Sequence, residues 1–165
     1  TPLYSSAASD VYKRQALMRE RHGDQWADMM RYYLDNFVDS LTGVVPGARV
    51  LINDLKAAGV HVWGLSNWQK DSFPIALDNF DILRSLEDRV VSGYVGLRKP
   101  HRDIYDYALK QFGIDASGAL FVDDKAMNIV GANEAGIRGV RFKDARALRT
   151  LLIDAGVAIP AVHEK

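Results

Sequence analysis

No cysteine occurs among the 165 residues. Disulfides, thiolate zinc sites and a cysteine nucleophile are therefore excluded, in keeping with a reducing, cytoplasmic setting. A charge excess is missing too: 21 Lys and Arg stand against 21 Asp and Glu. No overall field draws the chain to nucleic acid or to anionic lipid, so an anionic ligand has to be met locally. Long apolar runs are also lacking. None approaches the ~20 residues of a membrane-spanning helix, and no basic segment followed by an apolar stretch marks a secretory leader, so the chain is expected to be neither inserted nor exported. The four histidines, His22, His61, His101 and His163, show no metal-ligand spacing. What is present is an ordinary globular composition, 48% hydrophobic and 25% charged. A chain of this size typically buries ~70% of its unfolded surface, which suffices for one core.

Residues 1–15 (TPLYSSAASDVYKRQ) follow neither the helical nor the strand period and are expected to be unstructured. They also resemble translated sequencing-adapter sequence, a segment foreign to the protein. Between residues 16 and 45 the pattern is helical. Trp26, Met29, Met30, Tyr33, Leu34, Phe37, Val38 and Leu41 recur at the 3,4 spacing of an amphipathic helix, and its large side chains are expected to pack into a core. Gly43 and Pro46-Gly47 close that stretch and open a helix from Ala48 to Ala58, with Gly59 as its stop. Val60 to Leu65 is a short, nearly continuous apolar run, as in a strand buried on both faces of a parallel sheet, with His61 inside it. Thereafter helix and strand alternate. A helix around Gln69 to Asn79 leads to strand Arg89–Val91, helix Arg102 to Phe112 to strand Ala119–Val122, and helix Ala126 to Ala135 to strand Gly139–Phe142. Helix Ala145 to Leu152 closes the series. Such alternation predicts an α/β fold of right-handed βαβ units over residues 46–155. Residues 156–165 are expected to be a flexible tail, disordered from Ala158.

In open α/β sheets ligands lie beyond the carboxyl ends of the strands. Ser66-Asn67 follows the first strand, Arg98-Lys99-Pro100 lies in the loop after the second, and Asp123-Asp124 follows the third, with Asn128 one helical turn further on. Each of these sequences alone is also a common helix cap or helix entry. Their occurrence together at successive strand ends points to a phosphate bound with magnesium. The Ser66 hydroxyl and the Asn67 N–H would donate to phosphoryl oxygens at the opening of a helix. Lys99 would supply fixed positive charge. The carboxylate pair Asp123-Asp124 is costly without a cation, and Mg2+ favours oxygen ligands of this kind. Trp68, next to Asn67, is placed to wall a substrate pocket. Asp103, Asp144 and Arg141 are expected to be cap or surface residues, and His101 to stand at a helix entry.

Three segments, LSNW (Leu65 to Trp68), SGYVGLRKP (Ser92 to Pro100) and FVDDKAMNIVGANEAG (Phe121 to Gly136), resemble motifs two, three and four of the haloacid dehalogenase-like (HAD) hydrolase superfamily, in the phosphatase group with a helical cap. The resemblance runs from about Asp24 to about Leu152. It implies a Rossmann-like, three-layer core with a parallel sheet, with residues 16–45 as the remnant of an N-terminal helical cap that closes over the site and selects substrates. It also implies hydrolysis through an aspartyl-phosphate with Mg2+ bound. By position, Ser66 is the phosphate-binding hydroxyl, Lys99 the motif-three lysine, Asp124 the direct metal ligand, Asp123 its acidic neighbour and Asn128 the downstream motif-four position.

The family's motif one, an apolar strand ending in Asp-x-Asp-x-Thr, has no counterpart in the sequence. Asp10 follows Ser5-Ser6-Ala7-Ala8-Ser9, which is no buried strand, and is not accepted as the nucleophile. In the resembled family the missing strand lies between the one ending at Leu65 and the one ending at Val122. Its absence predicts two unpaired sheet halves and a chain that is unstable alone. The leading expectation is a Mg2+-dependent phosphatase of a small phosphorylated metabolite, represented by a fragment without its nucleophile. The alternatives are a 2-haloacid dehalogenase, against which the Asp123-Asp124 pair argues, and a non-catalytic phosphate-binding protein.

Overall fold

The computed structural model describes the backbone of residues 3–161 and the side chains of residues 13–161. Two helices lead. The first, α1 (Leu3–His22), is continuous, where the sequence predicts no regular structure through Gln15. The helix carries no apolar stripe, so the 3,4 period does not reveal it; its second half, Lys13 to Glu20, is made of good helix formers, and it packs against the helix that follows. Arg14 reaches Asp71 at 2.6 Å and Gln15 is buried.

The second helix, α2 (Asp24–Asp35), and a 3-10 turn (Phe37–Ser40) cover the predicted amphipathic stretch. Ala27 and Phe37 are buried, but Trp26, Met29 and Tyr33 are 55%, 54% and 51% exposed, which corrects the expectation that they pack in a core. The apolar stripe forms the helix but is covered only in part: Met30 and Leu34 are half-buried, while Trp26, Met29 and Tyr33 face outward.

The α/β part follows the predicted alternation. Its elements are α3 (Ala48–Ala57), β1 (Gly64–Ser66), α4 (Phe73–Asn79), α5 (Asp81–Arg84), β2 (Arg89–Val91), α6 (Ser92–Val95), α7 (Arg102–Phe112), β3 (Leu120–Asp123), α8 (Ala126–Glu134), β4 (Arg138–Arg141) and α9 (Ala145–Asp154). The strands form two separate parallel pairs. In one, Leu65 of β1 stands opposite Val90 of β2; in the other, Phe121 of β3 stands opposite Gly139 of β4. This is the division expected of a sheet that lacks the strand between β1 and β3.

β1 is shorter than the predicted run because β2 offers only three partners. Val60 to Trp63 lies outside the ladder. His61 is exposed there, its Nδ1 2.7 Å from Glu87 Oε2, and its ring stacks on Trp63, so it does not occupy a buried strand. Glu87 also holds this segment through its own N–H, which donates to the Val62 carbonyl at 3.1 Å.

Two apolar clusters are built largely by four of the helices. Ile104, Tyr105 and Ala108 of α7 pack with Ala132 of α8, Val90 of β2 and Ile137, with Leu65 and Phe121 alongside. Leu51 and Leu55 of α3 pack with Ala145 and Leu152 of α9 and with Ile159. Residues 157–161 are thus held rather than flexible as expected: Ile159 is buried, and buried Arg149 donates to the Pro160 carbonyl and to Asp54 Oδ2, each at 2.6 Å. Residues 162–165 lie outside the described part. No helix of the described residues is long and apolar enough to cross a membrane.

Candidate functional site

The strand ends bring the polar residues together around Lys99. Its ammonium donates to the carbonyl oxygen of Leu65 in β1 and to Asp123 Oδ2 at the end of β3, both at 2.7 Å. It therefore spans the space between the two strand pairs. The ion pair is shielded from water, its side chains 9% and 7% exposed, and the Phe121 ring lies 5.3 Å from Nζ. In this setting a cation holds its field better than at the surface.

Asp123 is saturated. Besides Lys99 on Oδ2, its Oδ1 accepts from the Lys125 N–H at 2.8 Å and from Asn128 Nδ2 at 2.9 Å. Burial opposes its ionisation, but the hydrogen bonds from Lys99, Lys125 and Asn128 outweigh it and hold the carboxyl below its usual range. Asn128 is itself buried, and its backbone carbonyl accepts from the Tyr105 hydroxyl at 2.7 Å. Burial, with a smaller contribution from the negative charge of Asp123, pushes this phenol up to about 12. Sequence reasoning missed Tyr105, although its place on the apolar stripe of a regular amphipathic helix marks a tyrosine whose hydroxyl needs an internal partner.

Ser66 ends β1, and its hydroxyl has no hydrogen-bond partner among the described residues. The Asn67 carboxamide is engaged with the backbone of Lys99, accepting from the N–H and donating to the carbonyl, each at 2.9 Å, a role separate from the phosphate contact expected of the Asn67 backbone N–H. Trp68 lines a cavity of about 410 Å³ with Asn67, Gln69, Leu97 and Arg98. It is also braced, its backbone N–H donating to Ser92 Oγ and its indole N–H to Ser72 Oγ, with Phe37 and Phe73 edge-on to its ring. Two glycines permit these approaches. A Cβ on Gly93 would collide with the Trp68 to Lys70 backbone, and one on Gly131 with the Pro100 carbonyl. The Lys99-Pro100 peptide bond is cis.

Asp124 is exposed, and its carboxylate has no partner among the described residues; only its backbone carbonyl is engaged, accepting from Arg141 Nε at 3.1 Å. Magnesium commonly takes one or two carboxylates together with waters and substrate phosphate. The free Asp124 carboxylate suits that role, whereas both oxygens of its neighbour Asp123 are already bonded. Among the described residues no group of three acidic or imidazole side chains is gathered for a metal.

Comparison with known proteins gives the following. The family model for haloacid dehalogenase-like hydrolases matches residues 4–142. A sesquiterpene phosphatase of Aspergillus oryzae is 32% identical over 111 residues, 62% of this chain and 53% of that protein. The glyceraldehyde 3-phosphate phosphatase of Pyrococcus abyssi is 33% identical over 60% of this chain and 42% of its own length. An (S)-2-haloacid dehalogenase of Burkholderia cepacia is 29% identical over 59% of this chain and 42% of that one. The chain thus spans about half the length, or less, of these relatives. Among solved structures, a HAD family enzyme of Bacteroides thetaiotaomicron, determined with magnesium and inorganic phosphate, superposes with a TM-score of 0.58 at 22% identity. It covers 81% of this chain and 70% of that one, a likeness that shows the fold.

Proposed function

The chain belongs to the haloacid dehalogenase-like hydrolase family, and from that premise we propose that it carries the phosphate- and metal-handling part of a magnesium-dependent phosphatase acting on a small phosphorylated metabolite. The observation that carries the reading is the shielded Lys99 ammonium between the ends of β1 and β3, with Ser66 at the end of β1 and Asp124 just after β3 both lacking side-chain partners among the described residues. Phosphatases among the relatives and a solved neighbour holding magnesium with phosphate support it.

Ser66 donates its hydroxyl to a phosphoryl oxygen. Lys99, held in place by Asp123, faces the negative charge that grows on the phosphoryl group as the bond to the leaving oxygen stretches. Magnesium, when bound through Asp124, and through water by Asp123, would neutralise the phosphate oxygens. The reaction class requires an aspartate to attack phosphorus, expelling the alcohol, and water then to release inorganic phosphate and restore the carboxylate. No Asp-x-Asp segment in this sequence provides that nucleophile, so no residue of this chain is assigned to the step.

The test is product release by the full-length gene product. Inorganic phosphate released from small phosphomonoesters, and abolished by chelation of magnesium, is the expected result. Halide release from 2-haloacids that is indifferent to chelation overturns the reading in favour of a dehalogenase. Phosphate binding without turnover overturns it in favour of a binding protein.

A further inference from the structure

Lys99 is held at two levels. Asp123 and the Leu65 carbonyl fix its ammonium, but neither fixes the backbone from which the long side chain springs. That backbone is gripped by Asn67. Oδ1 accepts from the Lys99 N–H and Nδ2 donates to the Lys99 carbonyl, so one carboxamide closes a two-point ring on a single residue across a sequence separation of 32. Among uncharged side chains, only Asn and Gln present an acceptor and a two-hydrogen donor on one planar group, and aspartate lacks the donor. The adjoining backbone is also fixed: α8 meets the Pro100 carbonyl at Gly131, where there is room only for a residue without a Cβ.

Among the described residues the Asn67 carboxamide makes its hydrogen bonds to the Lys99 backbone alone. We propose that Asn67 is a positioning residue that acts through Lys99, setting where the ammonium meets the transferring phosphoryl group. This rests on the phosphatase reading above and goes beyond it, because the side chain of Asn67, a residue expected to offer phosphate only its backbone N–H, is assigned to holding Lys99.

The test is a double-mutant cycle in the full-length gene product, with an activity-free measurement beside it. Asn67→Ala should lower kcat by about tenfold, in the range typical of lost support behind a site residue, while KM shifts less than about threefold. In a Lys99→Ala background the same substitution should change kcat by less than about twofold, since residues that act through one another are not additive. Equal losses in both backgrounds would overturn the proposal and make Asn67 an independent contact. A lowered melting temperature with unchanged kcat would overturn it as well. Hydrogen exchange at the Lys99 amide reads the grip without turnover: it should be slow in the wild type and fast in Asn67→Ala, with the β3 amides unchanged. Retained protection in Asn67→Ala overturns the grip itself. Loss of that protection in a protein that hydrolyses no phosphomonoester upholds the grip and counts against the phosphatase reading alone.

Discussion

Helices α2 and α7 have the same kind of sequence, apolar residues at three- and four-residue spacing among charged ones, yet they end in different surroundings. In α7, Ile104 and Tyr105 are fully buried and Ala108 nearly so, packed against β2 and α8. In α2 the only buried residue is Ala27, and Trp26, Met29 and Tyr33 are about half exposed. An amphipathic stripe therefore specifies that a helix forms and which face is apolar; whether that face contributes to stability depends on a second layer being present to cover it. The site lies on the covered side of this contrast, because the buried stripe of α7 is also what carries Tyr105 to the Asn128 carbonyl and so supports Asp123 and Lys99.

The contrast can be sharpened first at the site. Lys99→Ala and Asp124→Ala should each lower turnover of the full-length product at least ~100-fold, as expected for loss of an electrostatic or metal contribution, whereas Tyr33→Ala on α2 should change it little. Steady-state kinetics under saturating magnesium decide the matter; near-normal rates in either site variant would remove these residues from the site.

The next effect is on stability. Ile104→Ala leaves a cavity in a fully buried position and should cost about 2–5 kcal/mol, read from the urea midpoint at unchanged slope. A cost below about 1 kcal/mol would put α7 on the same footing as α2 and dissolve the comparison.

The pH dependence comes third. The Tyr105 phenol is raised in the folded state to about 12 from an ordinary value near 10. The unfolded chain therefore loses this proton first as pH rises, and the folded state keeps it. Stability from this group is complete below about pH 10 and declines between about 10 and 12, by an amount on the order of 1–3 kcal/mol. Denaturation at pH 9 and pH 11, compared with Tyr105→Phe, isolates the contribution, and equal pH slopes for the two proteins would contradict it.

The smallest effect belongs to α2. Met29→Ala, at a half-exposed position, should shift stability by no more than about 0.5 kcal/mol. A loss several times larger would show that the apolar face of α2 is covered in solution.

Much of the core and of the site was legible in the sequence. Helix Arg102–Phe112 was placed to the residue, because the apolar period and the Gly113 stop agree with the packing. His101 stands at its entry, and Asp144 caps α9 by accepting from the Ala147 N–H at 2.7 Å. Ser66, Lys99, Asp123, Asp124 and Asn128 were picked out as candidates from their places after strands, and the structure joins Lys99, Asp123 and Asn128 in one hydrogen-bonded group. Less legible were features that depend on contacts distant in sequence. His61 was assigned to a buried strand because an apolar run does not reveal how many residues its partner strand will pair. The chain past Gly156 was taken for a loose tail because Ile159 shows no period; it is held by Arg149, whose salt bridge to Asp54 spans 95 positions. Asn67 was recognised as belonging to the site, but its carboxamide hydrogen bonds to Lys99 were not, since spacing gives a residue's place in the chain and not the target of its hydrogen bonds.

By itself, the sequence determined the alternation of helix and strand, the chemistry available at the strand ends and, through three motifs, the family. These are local properties, set by backbone preference, side-chain period and residue type. Tertiary structure alone decided that the strands form two separate pairs, that Lys99 bridges them, that the Asp123 carboxylate is bonded on both oxygens while that of Asp124 has no partner among the described residues, and that one apolar stripe is covered while another is half exposed. Burial and hydrogen-bond partnership are properties of what lies opposite in space, and no period along a chain records them.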